Sequence, residues 1–206
     1  MSTSVESPFT REEFTFSFKG AALENHEIEV SLLADSLVAF RALAERSCRI
    51  QYGKDVDLFV KVKGGFKAAS FDVQLLIDWA TKNLEAAMGA AISAIGGTIA
   101  GFIKLYKWAK GKRIESAPAE NGTSVTNVDG QTLIFNNSAV TLYNVASARA
   151  DADKLTRPLE QPGIESLNIE GATKQESASV LRSEQDFLDK VSQEIFAKMK
   201  ACLPSK

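Results

Sequence analysis

The sequence predicts an α+β fold, and three observations carry that prediction. Phe14, Phe16 and Phe18 alternate with the period of a strand. Leu33, Leu37, Phe40 and Ala44 repeat with the period of a helix, and two further alternating runs meet at Gly64-Gly65. The expected order is an N-terminal β-α-β-β unit over 12–77, a central small-residue-rich helix with a basic end over 78–113, a linker over 114–123, and a C-terminal α+β portion of ββαβα order over 124–206.

Each element has its own signal. In "EFTFSF" one face carries only phenylalanine, the mark of a strand with one buried side, and Gly20 ends it. "VSLLADSLVAFRALAERS" then takes a helical period, with Ser31 as the expected N-cap. "VDLFVKV" and "FDVQLLI" alternate again, and Gly64-Gly65 supplies the backbone freedom of a hairpin between them. A helix is expected from about Asp78 to Lys112, in one piece or hinged at Gly96-Gly97. "GKRIESAPAENGTS" gathers Gly111, Pro118 and Gly122 among polar residues and reads as the linker. "SVTNVDGQTLIF" predicts a hairpin turning at Asp129-Gly130. A helix follows from about Ser138 to Leu155, capped by Asn137 or Ser138, before Pro158, Pro162 and Gly163 break it. "IESLNI" is one more short strand. The last predicted helix carries Leu188, Val191, Ile195, Met199 and Cys202 on one side, with Ser183 and Asp186 at capping-box spacing.

The chain has 206 residues, 45% of them apolar and 24% charged, enough for one domain with a proper core or two small ones. A net charge of -2 gives the whole molecule no general attraction for nucleic acid or anionic lipid. Five bases, Lys104, Lys107, Lys110, Lys112 and Arg113, nevertheless lie together without an acid among them. Cys48 and Cys202, the two cysteines, read as reduced, buried thiols. "MSTSVESPFTREEF" has neither the basic nor the apolar region of an export signal, so the expected location is cytoplasmic. The sequons at Asn121 and Asn136 then carry no glycosylation.

The sharpest feature is the run from Ala86 to Ile103, eighteen residues without a charge. Gly89, Ser93, Gly97 and Gly101 fall four apart, so a helix would align them into a groove for close contact with another helix. Such a row resembles a glycine zipper. From Trp79 to Trp108 a continuous helix would run about 43 Å at ~1.5 Å per residue, close to a bilayer of about 40–45 Å. Energetics opposes a span: Ile92, Ile95, Ile99, Phe102 and Ile103 supply only about -1.5 to -3 kcal/mol of insertion energy together. Topology opposes it too, since the basic flank favours a cytoplasmic C-terminal side and would send the folded N-terminal unit across. Packing in water is expected first, triggered or peripheral engagement of the inner membrane second.

The basic end interleaves Lys104, Lys107, Lys110, Lys112 and Arg113 with Tyr106 and Trp108. That mixture suits a lipid interface or, less well, phosphates and stacked bases of nucleic acid. It also suits a plain solvated helix end, where lysine complements the dipole.

No catalytic residue, cofactor-binding residue or metal ligand emerges, and no cofactor is expected. His26, the one histidine, lacks the second histidine of a zinc-protease helix. Asp151 and Asp153 are two apart on a predicted helix, so they diverge and read as a solvated face. Glu12 and Glu13 have nothing that fixes their separation as an acid–base pair.

"FTFSFKGAALENHEIEVSLLADSLVAFRALAE" resembles the start of an uncharacterised family of bacterial or mobile-element proteins, in its strand, Gly, H-x-I step and Leu-rich helix. "LTRPLEQPGIESLNI" resembles their middle region. The resemblance implies a bacterial or mobile-element origin and brings neither an activity nor a functional residue. The expected function is therefore non-enzymatic, through self-association or contact with another protein on the face of Gly89, Ser93, Gly97 and Gly101. The alternatives are insertion of that helix into an anionic membrane on a trigger, and accessory binding of nucleic acid through the basic end.

Overall fold

The computed structural model describes residues 10–25, 27–63, 71–81 and 94–185. Strand β1 (Thr10–Lys19) turns Phe14, Phe16 and Phe18 into the core, as their alternation predicts. Each such side chain taken out of water contributes about 1.5–3 kcal/mol. Helix α1 (Val30–Tyr52) lies over them. Its Phe40 meets Phe14 and Phe16 edge-on, with ring centroids 5.6 and 4.7 Å apart. Ser31 does not cap this helix. Glu29 holds the cap position, and Ser31, already inside the first turn, donates its hydroxyl to the Glu29 carboxylate. The helix ends at Gly53, whose φ of +88° and amide bond to Arg49 O (3.0 Å) close the last turn.

Strands β2 (Val56–Lys63) and β3 (Phe71–Thr81) pair antiparallel, with Val60 opposite Ile77. Gly64-Gly65 lie outside the described residues. Strand β3 runs four residues past the expected end at Ile77. Trp79 continues the inward row of Val73, Leu75 and Ile77 and stacks on Tyr52, with centroids 4.1 Å apart. Asp78 and Trp79 are therefore strand residues, and the central helix α2 is described from Ala94 to Trp108.

The expected linker is a hairpin. Strands β4 (Glu115–Ala119) and β5 (Gly122–Thr126) pair with each other, and β5 pairs with β6 (Thr132–Phe135). Pro118 is tolerated because β4 is an edge strand, where a missing amide breaks no ladder bond. The β5–β6 hairpin forms as predicted, through a longer loop than Asp129-Gly130 alone. Asn127 organises it, its Oδ1 accepting the amides of Asp129 and Gln131 at 3.0 Å each.

The helix expected over 138–155 is two helices, α3 (Asn137–Asn144) and α4 (Ala146–Thr156). The β-branched Val145 between them is extended, at φ -80° and ψ 112°. The cap of α3 is Asn136, one residue before the predicted pair, accepting Ala139 N at 2.6 Å.

The last two described strands join the first sheet. Strand β7 (Ser166–Glu170) pairs with β1, placing Ile169 opposite Phe16, and β8 (Ala178–Leu181) pairs with β7. The sheet order is β2-β3-β1-β7-β8, antiparallel throughout. Two glycines fasten this junction. A Cβ on Gly20 (φ +147°) would lie 2.0 Å from Gly163 O, and that carbonyl accepts the Ala22 amide at 3.1 Å. The 12–77 segment is thus one side of a sheet that residues from 166 onward complete. Most of the predicted C-terminal helix, including Asp186 and Cys202, lies outside the described residues.

Candidate functional sites

Three features could act: the small-residue helix, its basic end, and a cleft at the end of β1. Helix α2 is buried on most of its surface, with Ile95, Ile99, Ala100, Phe102, Ile103, Leu105 and Tyr106 all in the core. Gly101 packs inside the chain: a Cβ there would meet Asn136 Nδ2 at 2.9 Å and Ala139 Cβ at 3.0 Å. Gly97, one turn earlier, is half-buried, and among the described residues no other element comes within 4 Å of where its Cβ would stand. Its carbonyl accepts Asn136 Nδ2 at 3.3 Å. Gly89 and Ser93 lie outside the described residues. Among the described residues no helix is long and apolar enough to cross a membrane.

The basic end divides among several environments. Tyr106 is buried and donates its hydroxyl to Asp153. Burial pushes its ionisation well above the usual tyrosine range. Trp108 is half-buried against Phe135, with centroids 5.5 Å apart. Lys107 pairs with Glu184 at 2.8 Å and donates to Ser179 O at 2.6 Å. Lys110 pairs with Asp129 at 3.0 Å. Lys104, Lys112 and Arg113 are exposed. Asp151 also departs from expectation, being buried against Arg46 of α1 rather than solvated.

The cleft begins with Glu12. Strand alternation puts Glu12 on the same inward face as Phe14, Phe16 and Phe18, and it is 7% exposed. Its Oε2 accepts the Gly96 amide at 3.1 Å, while Oε1, shut off from solvent, has no partner within 3.5 Å among the described residues. The Tyr52 hydroxyl is likewise buried, without a hydrogen-bond partner among the described residues, and the Trp79 side chain bears on the Glu12 carboxyl, favouring its anion. Glu176 approaches from the turn at 174–176. Its carboxylate accepts the Ala172 amide (3.1 Å) and the Thr173 hydroxyl (2.8 Å). Gly96 separates the two acids: a Cβ there would stand 2.9 Å from Phe14 Cζ and 3.0 Å from Glu176 Cγ. Beside them opens a cleft of about 780 Å³, lined also by Glu13, Gln74 and Glu170.

Burial pushes the Glu12 carboxyl up to about 7, and the charge of Glu176 adds to that effect. The amides of Gly96 and Ile95 work against it by favouring the anion. Arg11, the base of the lining, is held by Asp78, with contacts of 2.6 and 3.1 Å. Asp78 also binds Lys61 at 2.7 Å, and hydrogen bonds from the two bases hold its carboxyl down at about 2.

No protein-family model, no curated protein and no solved structure matches the chain. Among the described residues no group of three or more His, Cys, Asp or Glu side chains could hold a metal ion. Cys48 is a buried, free thiol, pushed by burial up to about 12 and so kept in its unreactive form. His26 lies outside the described residues. The signal for Glu12 was present in the sequence: extending the Phe14, Phe16, Phe18 row backwards by one step puts a carboxyl on the buried face. Its nearness to Glu176 and Gly96 has no local signal, because 84 positions separate Glu12 from Gly96.

Proposed function

We propose that this protein works without catalysis, by contact with a second copy of itself across the open side of α2 at Gly97. The observation that supports this reading is the contrast between two glycines of one row. Gly101 is filled by the chain's own Asn136 and Ala139, whereas no described residue fills the space beside Gly97. A glycine costs a helix about 1 kcal/mol relative to alanine, so an unfilled one needs a reason such as close approach of a partner. Exposed apolar side chains elsewhere, Ile134 at 61% and Phe59 at 52%, add surface suited to contact.

Light scattering tests the reading directly. The wild-type chain is expected to show a mass above that of one copy, and Gly97→Leu to return it to the monomer. Because no described residue crowds Gly97, the variant should keep the wild-type circular dichroism. A wild-type protein that stays monomeric across the concentration range, or a Gly97→Leu variant with unchanged mass, overturns the proposal.

A further inference from the structure

We propose that Asn121-Gly122, at the turn between β4 and β5, is a self-modifying site, where the backbone converts Asn121 through a succinimide into aspartyl and isoaspartyl forms. The reaction needs only water. The Gly122 amide nitrogen loses its proton to hydroxide and attacks Asn121 Cγ, forming an N–Cγ bond. The Cγ–Nδ2 bond breaks, and ammonia leaves with a proton taken from water. Water then adds to either carbonyl of the five-membered imide, and cleavage of one ring C–N bond leaves an acid at position 121.

Asn121-Gly122 is the one Asn-Gly step in the sequence. A side chain on the following residue would shield the attacking nitrogen, and glycine has none. The fold itself demands that glycine: Gly122 has a φ of +143°, and a Cβ there would lie 2.4 Å from Phe135 O. Pairing of β5 with β6 therefore keeps the labile step in place. Ala119 stands opposite Gly122, which makes Glu120 and Asn121 an exposed two-residue turn. Among the described residues no hydrogen bond holds the Asn121 side chain. Strand β4 is the edge of its sheet, and local opening of an edge frees the turn amide for attack. Other asparagines differ. Asn127, Asn136 and Asn137 are held by side-chain hydrogen bonds, while Asn144 and Asn168 precede the β-branched Val145 and Ile169. The matching step of the next hairpin, Asp129-Gly130, is held as well: Asp129 pairs with Lys110, and the Gly130 amide donates to Asn127 O at 3.0 Å.

Incubation of the full chain at pH 8 and 37 °C, followed by peptide mapping with mass spectrometry, tests the site. The peptide that spans position 121 should gain the mass difference between an amide and an acid, in two chromatographic forms. It should do so at least tenfold faster than any other asparagine-containing peptide. The rate should rise with pH, because hydroxide removes the Gly122 proton, and Asn121→Gln should abolish the conversion. Position 121 left intact while a synthetic peptide of residues 115–126 converts fully overturns the proposal. So does an aspartyl product alone, which direct hydrolysis would give, or faster conversion at another asparagine.

Discussion

Glu12 ties the stability of the fold to pH in a direction opposite to that of most carboxylates. Its carboxyl lies near 7 in the folded protein against an ordinary 4.5, so the native state holds its proton where the unfolded chain releases it. Below the ordinary value both states are protonated and Glu12 adds no pH dependence. As pH rises from 4.5 to 7 the unfolded state is increasingly favoured, and above 7 the cost is complete. At about 1.4 kcal/mol per pH unit across that window, ionised Glu12 destabilises the fold by about 3 kcal/mol. Glu12→Gln keeps an acceptor for the Gly96 amide and removes the charge. The variant should match wild type in urea denaturation at pH 4 and exceed it by about 3 kcal/mol at pH 8. Equal stabilities at pH 8 would mean that Glu12 is solvated in the folded protein. Asp78 has the usual sign: with its carboxyl held at about 2 by Arg11 and Lys61, its contribution is present above the ordinary carboxylate range and fades as pH falls towards 2.

Within helix α2, adjacent turns respond differently to the same kind of substitution. At Gly97 a Cβ meets nothing among the described residues of the chain, so at dilutions where the protein is monomeric Gly97→Ala should raise the midpoint of thermal unfolding, through up to about 1 kcal/mol of helix propensity. At Gly101 the neighbour is Asn136, which cannot step aside without giving up its cap on Ala139. Gly101→Ala should therefore destabilise, by about 1 kcal/mol or more, as overpacking does. Thermal melts of the two variants check this pair, and similar shifts would show that the α2–α3 contact is not close. Much of the element pattern was legible in the sequence, because side-chain period reports directly on burial. The Phe14 row, the core helix α1, the β2 and β3 runs, the β5–β6 hairpin and the β7 strand all follow from it. Range 114–123 was not legible: Pro118 and Gly122 are loop signals, and only the edge position of β4 and the close approach of Gly122 to Phe135 O turn them into strand residues. Strand β8 has four residues, too few for a period to show. The split of the basic end was equally hidden, since Asp153, Glu184 and Asp129 reach Tyr106, Lys107 and Lys110 only through the tertiary fold.

At the scale of the whole molecule, the two ends of the described chain depend on each other. Strand β1 is central, bounded by β3 on one side and β7 on the other, so neither end finishes the sheet alone. Helix α1 is tied to α4 by Ser36 Oγ donating to Leu155 O (2.9 Å) and by Arg46 against Asp151. Tyr106 of α2 reaches α4 through Asp153, and the Gly20–Gly163 approach joins the turn after β1 to the turn before β7. Interactions that cross the chain in this way predict a single cooperative unfolding transition. The two tryptophans provide independent reporters, Trp79 on the five-stranded sheet beside Tyr52 and Trp108 beside Phe135 of the three-stranded sheet. In Trp108→Phe the remaining fluorescence reports the larger sheet, and in Trp79→Phe the smaller one. Trp79→Phe keeps an aromatic ring against Tyr52 and removes the indole N–H that bears on the Glu12 carboxyl. Urea titration of each variant should give a fluorescence midpoint that coincides with its own far-ultraviolet circular dichroism. Separate midpoints within one variant would mean that the three-stranded sheet opens on its own, and that the contacts from α4 and α2 do not bind the molecule into one unit.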